Sequence, residues 1–233
     1  IRHADTIVAL TDSTAEEIRK YFKREPKTIP NGIDLTIFKS DRKLDNESIF
    51  IPKIACISRL ESNKGIECGL EALSLIISKI PQAQLMIIGE GSLRKSLEEL
   101  TDRLEIRKNV KFLGRVTNSD IPSKLANANI YLLPSYIEGF SLSILEAMAC
   151  GLPIISTPVG IAPTIQGKWK NGYLVPINDP QAIFNAVMQL AENPAEREEF
   201  SFNSIQGVKE YSWDNIINRY EDEFKRIICP DTD

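Results

Sequence analysis

Short apolar runs alternate with stretches of helical period from about residue 52 to the carboxyl end of the chain. Strands of a parallel sheet are buried on both faces, so they appear as nearly continuous apolar runs. Their alternation with helices predicts an α/β fold, a Rossmann-like parallel sheet with helices on both faces. The predicted strands are 53–58, 84–88, 110–113, 129–133, 153–156 and 173–175, and the predicted helices are 65–79, 92–105, 119–126, 141–150 and 180–192.

Further elements are predicted at both ends of the chain. Because Ile1 is not an initiator residue, we expect the sequence to begin inside a longer protein. Residues 6–10 form a predicted strand, and a predicted helix at 14–23 is capped by Ser13 with Glu16 three positions on. Two more predicted helices lie at 195–211 and 213–228.

The composition is that of an ordinary globular protein. With 42% hydrophobic and 26% charged residues among 233, fibrous and disordered classes are excluded. The net charge of −4 argues against a nucleic-acid partner, and no run approaches the roughly 18 apolar residues of a membrane helix. Peripheral contact with a membrane stays open. Four widely spaced cysteines without a metal-binding spacing predict reduced thiols in a cytoplasmic protein: Cys56, Cys68, Cys150 and Cys229.

Two glutamates flank the junction between a loop and a short helix. The helix is predicted from Ser141 to Cys150, where Gly151 and then Pro153 end it. A buried strand precedes the loop, which therefore lies at the carboxyl edge of the sheet, where open α/β sheets bind ligands. Glu138 belongs to the loop and Glu146 to the helix.

This junction is suited to a phosphate with sugar hydroxyls beside it. Gly139 leaves room for close backbone approach, and the free N–H groups from Phe140 to Ser143 favour an anion at the helix N-terminus. Carboxylates on either side would accept hydrogen bonds from hydroxyl groups. Two other interpretations stay open, because Ser143 and Glu146 also fit a capping box and Glu138 fits a solvated loop residue.

Two cations are predicted at the same edge of the sheet. Arg59 follows the strand at 53–58, and Lys64 comes just before the next helix. An arginine fork and a lysine charge in these places can converge on one diphosphate. The alternative is a solvated loop in which Glu61 pairs with either cation.

Other kinds of site are disfavoured by the residues present. Gly89-Glu90-Gly91 opens like a dinucleotide fingerprint, but Arg94 occupies the position of the third glycine. The single histidine, His3, lies at the terminus, so no Ser-His-Asp or Cys-His device can form inside the chain. A two-carboxylate hydrolase is disfavoured because the two glutamates flank an anion site. The pair Asp231 and Asp233 at the end of the chain is not a credible metal site.

Several motifs resemble, in their order along the chain, those of the retaining GT-B glycosyltransferases of family 4. In that family two glutamates separated by seven residues flank a Gly-Phe-Gly or Gly-Phe-Ser turn, as Glu138 and Glu146 do here. The resemblance spans most of the chain. The other segments that carry it are Asn31-Gly32-Ile33-Asp34 with Phe38, Ser58-Arg59-Leu60, Lys64-Gly65, Gly89-Glu90-Gly91, Phe112-Leu113-Gly114 and Asn171-Gly172-Tyr173-Leu174-Val175.

The resemblance implies a role for each matched position. Arg59, Lys64 and Glu138 form the catalytic set, the two cations on the diphosphate and the carboxylate on the donor sugar. Glu146 holds the ribose hydroxyls. The remaining donor-binding positions are Ser58, Gly89, Arg115, Val116, Gly139, Phe140, Ser141 and Leu142.

The resemblance also implies a division of the chain. Residues 1–40 would be the tail of an N-terminal acceptor domain with the interdomain segment, 41–210 the donor-binding domain, and 211–233 a crossing helix and tail. The full-length enzyme would transfer a hexose from a nucleotide-diphospho-sugar such as UDP-glucose or GDP-mannose to a glycan or lipid, with retention and without a metal or other cofactor. These residues alone would bind the donor and turn over little.

Two alternatives to a transferase are retained. One is a GT-B-like epimerase or phosphorylase that uses the same nucleotide or phosphate site for other chemistry. The other is a nonenzymatic module that binds sugar nucleotides.

The sequence departs from the family pattern at three positions. Ser58 stands where Gly is frequent, Ile161 where a second Gly is common, and Thr164 where an acidic residue is usual. The predicted loop at 158–169 would therefore give the donor pocket a different shape from that in the family, so the identity of the donor sugar is not predicted. Residues 168–170, Lys-Trp-Lys, are predicted to be part of a solvated loop.

Overall fold

A computed structural model describes residues 4–39 and 50–229. The predictions that concern His3, Asp231, Asp233 and the boundary between residues 40 and 41 fall outside the described residues. The strands are β1 Val8–Ala9, β2 Lys27–Thr28, β3 Lys53–Ile57, β4 Gln84–Ile88, β5 Val110–Gly114, β6 Ile130–Leu133, β7 Ile154–Ser156 and β8 Gly172–Leu174. The α-helices are α1 Asp12–Phe22, α2 Ile66–Ile77, α3 Arg94–Arg103, α4 Ile121–Leu125, α5 Leu142–Ala149, α6 Ala162–Trp169, α7 Pro180–Glu192, α8 Pro194–Val208 and α9 Trp213–Ile228.

Strands β3 to β8 form one parallel sheet in the order β5-β4-β3-β6-β7-β8. Strands β4 and β5 are added in sequence on one side of β3, and β6 then pairs with the other side of β3. The loops that follow β3 and β6 therefore lead to helices on opposite faces of the sheet and leave a crevice between them. In open α/β sheets this switch point is where ligands bind.

Both faces of the sheet are covered by helices, as the apolar pattern predicts. Leu70 of α2 and Val187 of α7 pack in the core on one face. Leu145 of α5 and Ile165 of α6 pack in the core on the other. All four side chains are fully or almost fully buried. The predicted α/β fold with a parallel sheet is confirmed.

Helix α6 corrects the prediction of a loop at 158–169. Ala162–Trp169 is helical with Pro163 in its first turn, where a missing N–H removes no intrahelical bond. The prediction of a solvated loop at 168–170 is also wrong, because Lys168 and Trp169 belong to α6. Lys168 ion-pairs with Glu210 at 2.7 Å, and the Trp169 ring packs against Gly207 of α8.

Two predicted helix caps are also corrected. Helix α1 is capped by Thr11, whose extended backbone lets its hydroxyl accept from the N–H of Thr14, so Ser13 lies inside the helix. The capping-box interpretation of Ser143 and Glu146 fails because the residue that caps α5 is Ser141, without a side-chain capping bond. The short strand β2 carried no apolar signal and was not predicted.

Strands β1 and β2 form a separate two-stranded parallel sheet beside the large one. Ile33 forms a β-bridge with Ser212, donating its N–H to the carbonyl of Tyr211 at 2.8 Å and accepting from the N–H of Trp213 at 3.2 Å. The hydroxyl of Thr6 donates to Glu223 at 3.0 Å, so α9 contacts the β1 end of the small sheet. The domain boundaries at 40/41 and 210/211 stay predictions.

Candidate functional site

The loops after β3 and β6 meet at the switch point of the sheet. The N–H of Tyr136 donates to the carbonyl of Asn63 at 2.9 Å, which ties the two loops together. Gly65 has a φ of 60°, and a Cβ there would lie 2.2 Å from the carbonyl oxygen of Pro134. The backbones of the two loops thus approach each other so closely that only glycine fits at residue 65.

This approach joins Lys64 and Glu138 in an ion pair. The ammonium lies 2.8 Å from Oε1 of the carboxylate, and the two side chains are only 10% and 14% exposed. The solvated-loop interpretation is therefore wrong for both residues. The suggested pairing of Glu61 with Lys64 is wrong as well, because Glu61 instead accepts a hydrogen bond from the hydroxyl of Ser92 at 3.0 Å.

Arg59 lies at the same carboxyl edge, two residues past the end of β3. Its side chain is exposed and makes no ion pair within residues 4–39 and 50–229. The structure thus brings Lys64 and Glu138 together and leaves the arginine guanidinium available to a ligand at the rim of the crevice.

Glu146 lies on α5, one helix turn past the start of the helix, and its side chain is half-buried. Burial raises the pKa of this carboxyl to about 7, because the charged form loses hydration and no cation among the described residues compensates for that loss. A carboxylate in this setting gains from hydroxyl donors that restore its hydrogen bonds.

The turn that begins α5 is strained and held from one side. Ser141 has φ 80° and ψ 72°, a left-handed conformation that is uncommon outside glycine, and its buried hydroxyl has no hydrogen-bond partner among the described residues. The carbonyl of Phe140 accepts from Ile161 at 2.8 Å. The N–H groups that follow, at Leu142 and Ser143, belong to the first turn and have no intrahelical acceptor.

Gly139 and Gly89 differ in the space that surrounds them. A Cβ on Gly139 would meet none of the atoms in residues 4–39 and 50–229 within 4 Å, so packing against these residues does not require glycine and a ligand has room there. Gly89 has φ 140°, and a Cβ would lie 1.9 Å from the carbonyl oxygen of Ser58. The loops after β3 and β4 are therefore packed backbone to backbone, which fixes the position of Ser58.

Arg115 and Val116 follow β5, farther along the same edge. The N–H of Gly89 donates to the carbonyl of Gly114 at 2.8 Å, which fixes the start of this loop. Arg115 is exposed, and Val116 packs partly against the core on the α5 face. Both lie two strands away from β3, so they border the crevice rather than joining the ion pair.

An open cleft of about 390 Å³ separates the start of α1 from the loops after β6 and β7. Glu138 lines it, and the hydroxyl of Thr164 donates to Asp12 across it at 3.1 Å. Within the described ranges no group of three or more His, Cys, Asp or Glu is placed to hold a metal ion. The other lining residues include Ser13, Glu16, Ile137, Gly160 and Pro163.

Three residues that support Glu138 and the turn before α5 were not predicted from the sequence. The hydroxyl of Ser135 donates to Oε1 of Glu138 at 2.7 Å, and that of Thr157 donates to the carbonyl of Ser135. Gly160 has φ 56° and packs against the carbonyl of Phe140. A serine at a strand end, three positions before a predicted site glutamate, was a signal for the first of them.

None of the helices that the structure describes is long and apolar enough to cross a membrane. The four cysteines are free thiols, three buried and Cys229 exposed.

A model of the family described as glycosyl transferases group 1 matches residues 40–206. The chain belongs to this family. It is 29% identical, over 233 residues, to the GDP-mannose-dependent monoacylated alpha-(1-6)-phosphatidylinositol monomannoside mannosyltransferase of Corynebacterium glutamicum. That alignment covers 92% of this chain and 60% of the mannosyltransferase.

Two solved structures share the fold of this chain. Sucrose-phosphate synthase from Thermosynechococcus elongatus superposes with a TM-score of 0.83 at 25% identity, over 97% of this chain and 59% of that one. HepE from Anabaena in complex with UDP-glucose superposes with a TM-score of 0.83 at 22% identity, over 96% and 64%. The chain thus spans less than two thirds of these proteins.

Proposed function

We propose that this group 1 glycosyltransferase chain binds a nucleotide-diphospho-sugar in the crevice between β3 and β6 and serves as the donor half of a hexosyltransferase. The observation that carries the proposal is the buried ion pair of Lys64 and Glu138, placed at the switch point beside the first turn of α5. A buried cation and a carboxylate side by side match a ligand that has both a diphosphate and hydroxyl groups.

Each part of the donor has a matching group in the crevice. Lys64 and the exposed Arg59 bind the diphosphate, together with the N–H groups of Phe140, Ser141 and Leu142. Glu138 accepts from hydroxyls of the sugar.

The nucleoside lies toward the α5 and β5 side. Glu146 accepts from the ribose hydroxyls, which restore hydrogen bonds to its buried carboxyl. Arg115 and Val116 border the base, and Ser58 and Gly89 form the backbone beneath the nucleotide. UDP-glucose and GDP-mannose are the donors we favour, since relatives and neighbours are named for both nucleotides.

The reaction depends on the departure of the diphosphate. As the bond between the anomeric carbon and the phosphate oxygen breaks, negative charge grows on the diphosphate and an oxocarbenium-like centre forms on the sugar. Lys64, Arg59 and the first turn of α5 stabilise that charge, so the proposed chemistry uses side-chain cations and helix N–H groups rather than a metal. The acceptor then attacks from the same face, and the departing phosphate takes its proton.

The acceptor approaches through the cleft between α1 and the loop that carries Glu138. We propose a glycan or lipid hydroxyl as the acceptor, in line with the lipid-linked acceptor in the name of the mannosyltransferase relative. Because the chain spans 60% of that relative, we expect these 233 residues to bind donor with little turnover on their own.

Calorimetry with UDP, GDP and ADP tests the proposal. We expect one of them to bind and to stabilise the fold, by about 2.7 kcal/mol at one hundred times its Kd. Lys64→Ala should lower the affinity at least tenfold, whereas Lys95→Ala removes an exposed lysine of α3 and should leave it unchanged. Absence of binding by all three nucleotides would refute the proposal.

A further inference from the structure

Two groups hold the same oxygen of Glu138. The ammonium of Lys64 lies 2.8 Å from Oε1, and the hydroxyl of Ser135 donates to Oε1 at 2.7 Å. No hydrogen bond to Oε2 is made by the described residues. One oxygen of the carboxylate is therefore committed to the protein, and the other keeps its lone pairs for a ligand.

Ser135 is itself fixed in place. It is fully buried, two residues past the end of β6, and its carbonyl accepts from the hydroxyl of Thr157, the residue that follows β7. Thr157 is also buried and donates its N–H to the carbonyl of Leu133 at 3.0 Å. The serine hydroxyl thus approaches Glu138 from a direction set by two strands of the sheet.

A single contact with Lys64 would not orient the carboxylate. The terminal torsion of a glutamate is broad and roughly two-fold, so one flexible ammonium leaves the plane of the carboxylate free to turn. A second donor on Oε1, from a rigid direction, removes that freedom and determines where Oε2 points.

We propose that Ser135 is a positioning residue for the donor sugar, which holds Glu138 by Oε1 so that Oε2 faces the cleft and accepts from a sugar hydroxyl. The inference rests on the proposed function, since it concerns the same crevice. It adds that recognition of the sugar and recognition of the diphosphate are separable, because Ser135 donates to Glu138 and, among the described residues, makes no hydrogen bond to Lys64 or Arg59.

The test compares each nucleoside diphosphate with its sugar nucleotide on the whole chain. The probes are UDP against UDP-glucose and GDP against GDP-mannose, measured by calorimetry with the wild type and Ser135→Ala. We expect the variant to lose about tenfold in affinity for the sugar nucleotide, the scale of one hydrogen bond to a charged group. Affinity for the diphosphate should change less than twofold.

Two further variants distinguish positioning from general damage. Ser201→Ala removes another buried serine hydroxyl, one that donates to the carbonyl of Gly151 at 2.7 Å away from the crevice, and should leave both affinities unchanged. Ser135→Cys retains a weak donor of similar size and should recover part of the loss. In the background of Glu138→Ala, Ser135→Ala should have no further effect on sugar affinity.

Each outcome bears on one hypothesis. Equal losses for diphosphate and sugar nucleotide, additive effects in the double variant, or a wild type that binds both probes equally well would overturn the role of Ser135. If the wild type binds none of the four probes, it is the proposed function that fails.

Discussion

The N–H of Ile161 donates to the carbonyl oxygen of Phe140 at 2.8 Å, and Gly160 packs its Cα against the same carbonyl group. The loop after β7 thus supports the strained turn that begins α5. Because the backbone of Gly160 and Ile161 fixes this turn, the N–H groups in the first turn of α5 are held in one direction.

Gly160→Ala should damage both stability and donor binding. The residue has φ 56°, and an added Cβ would lie 2.5 Å from the carbonyl oxygen of Phe140 and 3.1 Å from Cβ of Glu138. We expect a loss of about 2 kcal/mol or more in the free energy of unfolding, measured with urea. Gly167→Ala is the matched control, because nothing lies within 4 Å of its Cβ and alanine should stabilise α6 by about 0.5–1 kcal/mol.

The pair of Lys64 and Glu138 should show strong coupling. Removal of either partner leaves a buried charge unpaired, so Lys64→Ala and Glu138→Ala should each cost about 3 kcal/mol of unfolding free energy. The double variant should cost clearly less than the sum. Arg19→Ala breaks an exposed pair with Glu25 at the same distance of 2.8 Å and should hardly move the denaturation midpoint. Additive losses at Lys64 and Glu138 would contradict the coupling.

Glu146 should make the stability of the protein depend on pH. Burial raises its pKa to about 7 in the folded state, above the ordinary value of the unfolded chain. Because the folded state binds the proton more tightly, Glu146 adds to the free energy of unfolding. This addition is fully present below about pH 4.3 and is lost as the pH rises through 7. Glu146→Gln should gain on the order of 2–3 kcal/mol over the wild type between pH 5 and pH 8. Glu99→Gln, exposed on α3, serves as the control, and parallel pH profiles for the wild type and Glu146→Gln would speak against the effect.

Ser141→Gly should stabilise the protein. Glycine removes both the left-handed strain at φ 80° and a buried hydroxyl to which no described residue hydrogen-bonds. We therefore expect the free energy of unfolding, measured with urea, to rise by about 1–2 kcal/mol. Lys170→Gly isolates the backbone part, because Lys170 has φ 46° but an exposed side chain, and it should gain less. If Ser141→Gly and Lys170→Gly raised the free energy of unfolding equally, the buried hydroxyl of Ser141 would not be destabilising.

The sheet was predictable because its central strands, such as β6 and β7, are buried on both faces. Runs such as Ile130–Leu133 carry no charged residue, and each is followed by a helix, which leaves few alternatives to a parallel α/β sheet. Helix α6 was missed because Gly160, Pro163 and Gly167 are typical of loops. The proline costs nothing in the first turn of a helix, and Gly167 weakens the helix without ending it.

The components of the site were predictable, but their pairing was not. Lys64 and Glu138 were found from their places at strand and helix ends, whereas their contact depends on β6 lying next to β3, which the apolar pattern does not reveal. Ser135 and Thr157 were missed because their roles depend on where two loops cross. The cap of α1 was misplaced because Thr11 and Ser13 are both good capping residues and only the backbone angles distinguish them.

The bridge between Ile33 and Ser212 has a mechanical consequence. The chain leaves the small sheet at Ile33 and returns toward it at Ser212, and these two passages lie side by side, joined by backbone hydrogen bonds. Hinge motions in proteins are absorbed at a few loop residues or residues at the ends of elements, and both passages are of this kind. A rotation at these two passages would change the distance between Asp12 and Thr164, which now share a hydrogen bond of 3.1 Å across the cleft.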